Sequence, residues 1–248
     1  PSVDMIWNMA EKETFTTKDG APITVNYISQ ADDGHAKMYV TKSAVLYFFD
    51  SLWAKEADMM QKGLSMLKYP AADIKGLDRC FPKLTGRFEL NDGGVLLSFA
   101  REATVFPLSI YGALPAHHVA WIISRMENIA CVLEYSGINH HDISIDSLFI
   151  NPVTHEAILY GGWWNACAKS NSLLEKVAAN KDLMDIRKTA KTMLGYNKGT
   201  VPSELEVFLN EKPSRDAFED FKVWDQVIEE GFGGRHFHKM KVDDNMKI

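Results

Sequence analysis

The chain has few cysteines, no long apolar run and no basic cluster, and each of these absences excludes a class of protein. Its three cysteines, Cys80, Cys131 and Cys167, are far apart and show no CxxC or Cys/His spacing, which argues against a disulfide framework or a zinc site. No apolar stretch approaches the roughly 18 residues that span a bilayer, and the N-terminus lacks a signal-peptide pattern. We therefore expect a cytoplasmic protein with no membrane partner.

Positive charge is also scarce. The net charge is -6, and the lysines and arginines are spread along the chain without a run. A nucleic-acid binder needs a basic face to neutralise phosphates, so we expect no nucleic-acid partner. With 248 residues, of which 46% are hydrophobic, the chain can bury a substantial core as one large domain or two closely packed lobes.

The most informative stretch begins at a His-x-Asp triplet, His140-His141-Asp142. A polar loop, a short apolar strand over 148–150, a turn at Asn151-Pro152 and a second apolar strand over 158–160 follow it. This layout resembles the catalytic loop and the metal-loop hairpin of protein kinases. The resemblance implies a bilobal α+β fold, with a small antiparallel-sheet lobe and a mainly helical large lobe.

In that family an aspartate accepts the substrate proton, an asparagine five residues later binds a metal ion, and an Asp-Phe-Gly aspartate holds Mg²⁺. The resemblance places Asp142 at the base position, with His140 beside it, but Ser147 at the asparagine position. The Asp-Phe-Gly slot falls on Tyr160-Gly161-Gly162 or, one residue later, on Gly161-Gly162-Trp163. Neither choice supplies a carboxylate. Since Mg²⁺ prefers charged oxygen ligands, we expect no metal ion and no bound cofactor.

Before residue 105, alternating segments and turn signals predict the small lobe, over residues 13–104. Hairpins are predicted around Asp19-Gly20, around Ala31-Asp32-Asp33-Gly34 and around Asn91-Asp92-Gly93-Gly94. Together with a helix over 45–68, these strands are expected to form a five-stranded antiparallel sheet. The first hairpin would take the place of the family's glycine-rich phosphate cover, and a single glycine there cannot cradle phosphate.

Two lysines, Lys37 and Lys42, are candidates for the lysine that contacts ATP in kinases. Val40 lies two residues before Lys42 and thus on the same strand face, where the family has a small apolar residue, so Lys42 fits better. Glu56 in the predicted helix resembles the glutamate that pairs with this lysine. Glu56 is interpreted equally well as one charged residue on a solvent-exposed helix face.

Residues 105–238 predict the helical large lobe, followed by a frayed tail over 239–248. A helix opened by Pro115 and stopped by Gly137 leads into the His-x-Asp triplet. A second helix begins near Asp182; this residue, or alternatively Asp185, resembles the aspartate that anchors the catalytic loop in kinases. The segment before it is too short for a full activation segment.

Two adjacent tryptophans, Trp163 and Trp164, follow the Asp-Phe-Gly slot. They are expected either to fill the cleft or to form a patch that faces a protein partner, because tryptophan is enriched at interface hot spots.

Residues 20 to 238 together resemble a little-described group of bacterial and phage kinase-like proteins with degraded catalytic motifs. The points of likeness are Tyr39-Val40-Thr41-Lys42, Lys55-Glu56-Ala57, His118-Val119-Ala120-Trp121, Asn151-Pro152-Val153-Thr154-His155, the Asp182 helix and the closing Phe-Gly-Gly-Arg-His-Phe. The resemblance implies a pseudokinase that serves as a protein-binding or structural module, and it suggests a place for this module inside a viral particle. The alternative is an atypical phosphotransferase that uses ATP and Mg²⁺, retains Lys42, Glu56 and Asp142, and recruits Asp146 as a metal ligand.

Overall fold

The computed structural model describes residues 10–70, 76–195 and 200–241, and it places a sheet lobe before a mainly helical region. The strands and helix of the sheet lobe are β1 (Glu11–Thr16), β2 (Pro22–Tyr27), β3 (Ser29–Asp32), β4 (Lys37–Val40), β5 (Ala44–Phe49), α1 (Ala54–Ser65), β6 (Leu84–Glu89) and β7 (Val95–Ala100). The predicted 239–248 tail lies outside the described residues from 242 onward.

The central sheet has five antiparallel strands in the order β3-β4-β5-β7-β6. Its middle strand, β5, is an unbroken apolar run because both of its faces are covered. Val45, Tyr47 and Phe49 join the main core, whereas Leu46 joins a second cluster on the other face. The predicted helix over 45–68 is therefore wrong in its first part, since α1 begins only at Ala54. When a strand is buried on both faces, its sequence is apolar throughout, and the hydrophobic periodicity cannot distinguish it from a helix.

The N-terminal hairpin is a separate two-stranded sheet and is no part of the five-stranded one. Strands β1 and β2 pair around the predicted Asp19-Gly20 turn, where Gly20 has a φ of +89°. Phe15 and Val25 of this hairpin pack on Tyr39 of the central sheet. The hairpin thus covers the outer face of the sheet.

The helical region contains α2 (Ala116–Ser136), α3 (Leu173–Val177), α4 (Lys181–Leu194), α5 (Ser203–Asn210) and α6 (Ala217–Phe232), with short strands β8 (Phe106–Pro107), β9 (Ile138–Asn139), β10 (Leu148–Asn151), β11 (Glu156–Leu159) and β12 (Cys167–Ala168). As predicted, Pro115 caps α2 and Gly137 ends it in the left-handed conformation. Helices α4 and α6 pack against α2. No helix among the described residues is long and apolar enough to cross a membrane.

A buried ion pair ties α4 to α6. Arg187 donates to both carboxylate oxygens of Asp220 at 2.8 and 3.0 Å, and its guanidinium lies 4.1 Å above the ring of Phe208. The carboxyl group of Glu127, from α2, is completely buried nearby. Burial, followed by the neighbouring Asp220, raises the pKa of Glu127 well above its usual value, which favours the uncharged form of this group.

We expect Asp220→Ala to lower the free energy of unfolding by about 3–5 kcal/mol, because it leaves the Arg187 guanidinium buried without its partner. Asp225→Ala on the same helix removes an exposed pair with Arg235 and should cost less than about 1 kcal/mol. Urea denaturation monitored by circular dichroism measures both. Equal losses would contradict the assignment of Asp220 as the tie between the helices.

Candidate functional site

The loop from His140 to Ser147 is held in place by one carboxylate of the helical region. The backbone N–H groups of His140 and His141 donate to the two oxygens of Asp182, each at 2.8 Å. Asp182 lies in the first turn of α4, which Asn180 caps. The choice of Asp182 over Asp185 as the anchor is thereby confirmed. Asp185 instead accepts from Lys181, which also donates to the carbonyl of His141.

His140 is a packed, hydrogen-bonded loop residue. Its ring is fully buried, Nε2 donates to the carbonyl of Gly161 at 3.0 Å, and Nδ1 accepts from the backbone N–H of Asp142 at 3.1 Å. Burial lowers the pKa of His140 to about 4, so the ring is neutral at neutral pH. Its edge also meets the Trp163 ring, with the ring centres 4.7 Å apart. His140 therefore couples the loop to the segment after β11.

Ser147, at the position of a kinase metal ligand, braces its own loop. Its hydroxyl donates to the carbonyl of Asp142 at 2.6 Å and accepts from the N–H of Ser144 at 2.9 Å. The carbonyl of Ser147 accepts from Tyr160 and Gly161, which fixes the loop against the end of β11. The Tyr160 hydroxyl donates to the carbonyl of Ala100 at 2.7 Å.

The glycine pair after Tyr160 lies at the centre of the site. A Cβ at Gly162 would fall 2.8 Å from Asp142 Oδ2, and the φ of +79° also favours glycine there. A Cβ at Gly161 would point to Ser147 and to the hydroxyl of Tyr47. Within the described residues, no group of three His, Cys, Asp or Glu side chains could hold a metal ion.

The strand that precedes α1 contains no lysine. In kinases the ATP lysine lies on the third strand of the sheet, just before the helix that carries its glutamate. The corresponding strand here is β5, and the side chain that it directs at Gly161 is Tyr47, whose buried hydroxyl has no hydrogen-bond partner among the described residues. Burial raises the pKa of Tyr47 far above its usual value, so this hydroxyl stays neutral.

Lys42 and Glu56 are not brought together. Lys42 is exposed in the turn before β5 and lines a groove beside Lys12 of the N-terminal hairpin. Glu56 is half-buried in the first turn of α1, and no ion pair joins it to Lys42 within the described chain. The expected pair is missing because β4 ends at Val40, two residues before Lys42, which leaves Lys42 in the turn that leads to β5.

Trp164 fills the space between the sheet lobe and the helical region. It is 4% exposed, and its ring centre lies 5.7 Å from that of Phe49, 6.0 Å from that of Tyr47 and 6.4 Å from that of His35. His35 comes from the β3–β4 turn, which occupies the position of the phosphate cover, between the first two strands of the central sheet. Trp163 is fully buried and donates to the carbonyl of Leu159. Of the two alternatives for the tryptophans, the buried one is confirmed.

The cleft is rich in carboxylates. Burial, then the carboxylates of Asp33 and Asp185, raises the pKa of Asp142 to about 6. Asp33 accepts from the N–H groups of His35 and Ala36 and so holds the β3–β4 turn. Asp146 is exposed on the loop. Sequence reasoning missed Asp33, His35 and Tyr47 because it assigned β5 to a helix and the phosphate cover to the N-terminal hairpin.

Asp142→Asn should stabilise the protein at neutral pH. The pKa of Asp142 is higher in the folded state than in the unfolded state, so its contribution to stability is present near pH 4 and is lost as pH rises through about 6. We expect the variant to be more stable than the wild type by about 1–2 kcal/mol at pH 7.5 and nearly equal at pH 4.5. Asp146→Asn on the same loop is the control and should change stability little at either pH. A pH-independent difference in urea denaturation would contradict this.

No protein-family model and no curated protein matches this sequence. Solved structures do match: a BubR1 kinase domain with a TM-score of 0.58, at 11% identity over 84% of this chain and 80% of that one. A Toxoplasma gondii specific rhoptry antigen kinase domain has a TM-score of 0.55, at 10% identity over 94% and 90%. Vaccinia related kinase 3 has a TM-score of 0.52, at 13% identity over 99% and 88%. The chain therefore has a protein kinase-like fold, in agreement with the α+β architecture that its sequence predicted.

Proposed function

We propose that this chain is a catalytically impaired kinase-like protein, a pseudokinase, that works as a protein-binding or structural module. The observation that carries the proposal is the packing of Trp164 against Tyr47 and His35. These side chains occupy the region between the lysine strand, the phosphate cover and the metal loop of the kinase fold. A nucleoside triphosphate could enter this region only by displacing a buried aromatic cluster. The displacement would expose the aromatic rings to water and cost the free energy that their burial contributes.

Charge supports the same conclusion. Phosphoryl transfer depends on a lysine and on metal ions that neutralise the phosphates. Here the corresponding strand offers Tyr47, and the metal-loop position falls on Tyr160 or Gly161, neither of which is a carboxylate, while Asp33 and Asp142 bring negative charge. Triphosphate would meet repulsion where an active kinase provides attraction.

The competing function, an atypical phosphotransferase, is favoured by one feature. The pKa of Asp142, at about 6, lies in a range useful for a general base at neutral pH. This alternative also needs a phosphate-binding cation and a metal ligand. Lys42 and Glu56 would have to meet in the cleft, and Asp146 would have to turn inward.

The protein-binding part of the proposal is supported by the segment that follows the tryptophans. Leu173, Leu174 and Val177 on the short helix α3 are 79, 81 and 72% exposed. Three large apolar side chains side by side at the surface are typical of interaction sites. They occupy the place of the activation segment, next to the loop that carries Asp142.

A thermal-shift titration tests the nucleotide question. ATP with Mg²⁺ should leave the melting temperature within error of the value with EDTA, since specific binding would raise it by mass action. An EDTA-sensitive rise of several degrees that is lost in Asp146→Ala would instead support the phosphotransferase. The positive control is an active protein kinase measured on the same plate.

Cross-linking tests the surface of α3. We expect the double variant Leu173→Ser/Leu174→Ser to lose at least one protein that the wild type captures in a lysate of the source organism. The matched control is Leu52→Ser, which removes another exposed leucine, 83% exposed, outside α3. Identical capture by the double variant and the wild type would refute α3 as the binding surface.

A further inference from the structure

A second concave site lies on the helical region and shares no residue with the cleft. It is a pocket of about 330 Å³ between α2, the β10–β11 turn, the end of α6 and the chain that follows α6. The residues that matter for the argument are His117, Trp121, Arg125, His155, Phe237 and His238. Its volume falls within the range of pockets that hold small molecules.

One wall of the pocket is a stack of three flat rings. The His155 ring lies between Trp121, 4.3 Å away and tilted by 6°, and Phe237, 4.0 Å away and tilted by 21°. Phe237 remains 67% exposed, so its face away from His155 is open. An exposed aromatic ring that is held rigid by stacking is a suitable surface for a flat ligand.

The same wall contains polar groups without partners. The Nε of Arg125 donates to the carbonyl of His155 at 2.7 Å, whereas its two terminal nitrogens make no hydrogen bond to any described residue. The Nε2 of His155 is buried, and the His155 ring interacts with the backbone of His238. His155 adopts a φ of +57°, which is uncommon for a residue with a side chain. The backbone strain of His155 and the terminal nitrogens of Arg125, which make no hydrogen bond to a described residue, therefore lie side by side, and backbone strain is typical of binding sites.

The titratable groups around the pocket are mainly basic. Helix α2 contributes His117, His118 and Arg125, the β10–β11 turn contributes His155, and the segment after α6 contributes Arg235, His236 and His238. The nearby carboxylates are engaged or peripheral: Asp225 pairs with Arg235, Glu156 pairs with Arg79, and Glu229 lies beside Gly234. None of the residues that line the pocket is acidic.

The histidines are close enough to influence one another. The ring centres of His117 and His118 are 4.2 Å apart, and those of His117 and His238 are 4.8 Å apart. Burial, followed by the neighbouring histidines, lowers the pKa of His118 to about 4, and burial and His238 lower that of His117. An anion placed among them would favour their protonated forms, so its binding would be accompanied by proton uptake.

We propose that this pocket binds a small organic anion, with a carboxylate or phosphate group against Arg125 and His117 and a flat apolar ring against Phe237. The anionic group forms charge-assisted hydrogen bonds with the terminal nitrogens of Arg125, which no other described residue occupies. Because protons are taken up, the ligand binds more tightly as pH falls from 8 to 6. This site is independent of the cleft and of its occupation by Trp164.

Isothermal titration calorimetry on the full chain at pH 7 provides the test, with phenyl phosphate as the probe. The affinity for inorganic phosphate measures the contribution of the charged group, and the affinity for benzyl alcohol measures the contribution of the ring. We expect phenyl phosphate to bind at least tenfold more tightly than either. Arg125→Gln should weaken it roughly tenfold, the loss expected for one charge-assisted bond. The matched control Arg215→Gln removes an exposed arginine outside the pocket and should leave the affinity within about twofold.

The pH arm uses benzoate, whose charge does not change between pH 6 and 8. The affinity for benzoate should rise as the pH falls toward 6. The variant His117→Gln, which changes an exposed residue, should bind benzoate more weakly and with a smaller dependence on pH. That variant also serves if Arg125→Gln fails to fold. The proposal is overturned if phenyl phosphate binds no better than inorganic phosphate, if Arg215→Gln weakens binding as much as Arg125→Gln, or if His117→Gln matches the wild type at every pH.

Discussion

The two hydrogen bonds from the backbone of His140 and His141 to Asp182 are the constraint on which the site depends. They hold an irregular loop against the first turn of α4, and they compensate backbone N–H groups that would otherwise be buried without partners. His141, with a φ of +72°, adopts its unusual conformation at this point of attachment. Once the loop is fixed, the positions of Asp142, Ser147 and the β10–β11 hairpin follow.

Beyond this anchor, the rest of the site depends on close contacts between the loop and the segment that follows β11. The ring of His140 reaches the carbonyl of Gly161, and Gly162 allows the chain to pass within contact distance of Asp142. The tight passage directs Trp163 and Trp164 into the space between the sheet and the helices. The aromatic cluster in the cleft is thus a consequence of this local geometry. In the same region, burial and the carboxylates of Asp33 and Asp185 raise the pKa of Asp142.

The helical region keeps its shape through a different interaction. Arg187 and Asp220 form a buried, bidentate pair, and the raised pKa of the neighbouring Glu127 favours its uncharged form. Such a pair contributes little net free energy compared with apolar packing, but losing one partner is costly. Because α2 packs between this pair and the β10–β11 turn, the same helix also supplies one wall of the histidine-rich pocket.

The sequence by itself determined the layout of the helical region and of the loop. The caps at Pro115 and Gly137, the hairpin after Asp142 and the anchoring aspartate are local signals with steric causes, and the structure agrees with them. Only the tertiary structure decided that residues 44–49 form the central strand, that Lys42 lies in a turn and that Tyr47 faces Gly161. The reason is burial: a strand covered on both faces has no polar side to reveal its period, so its register appears only when the sheet and the hairpin close around it.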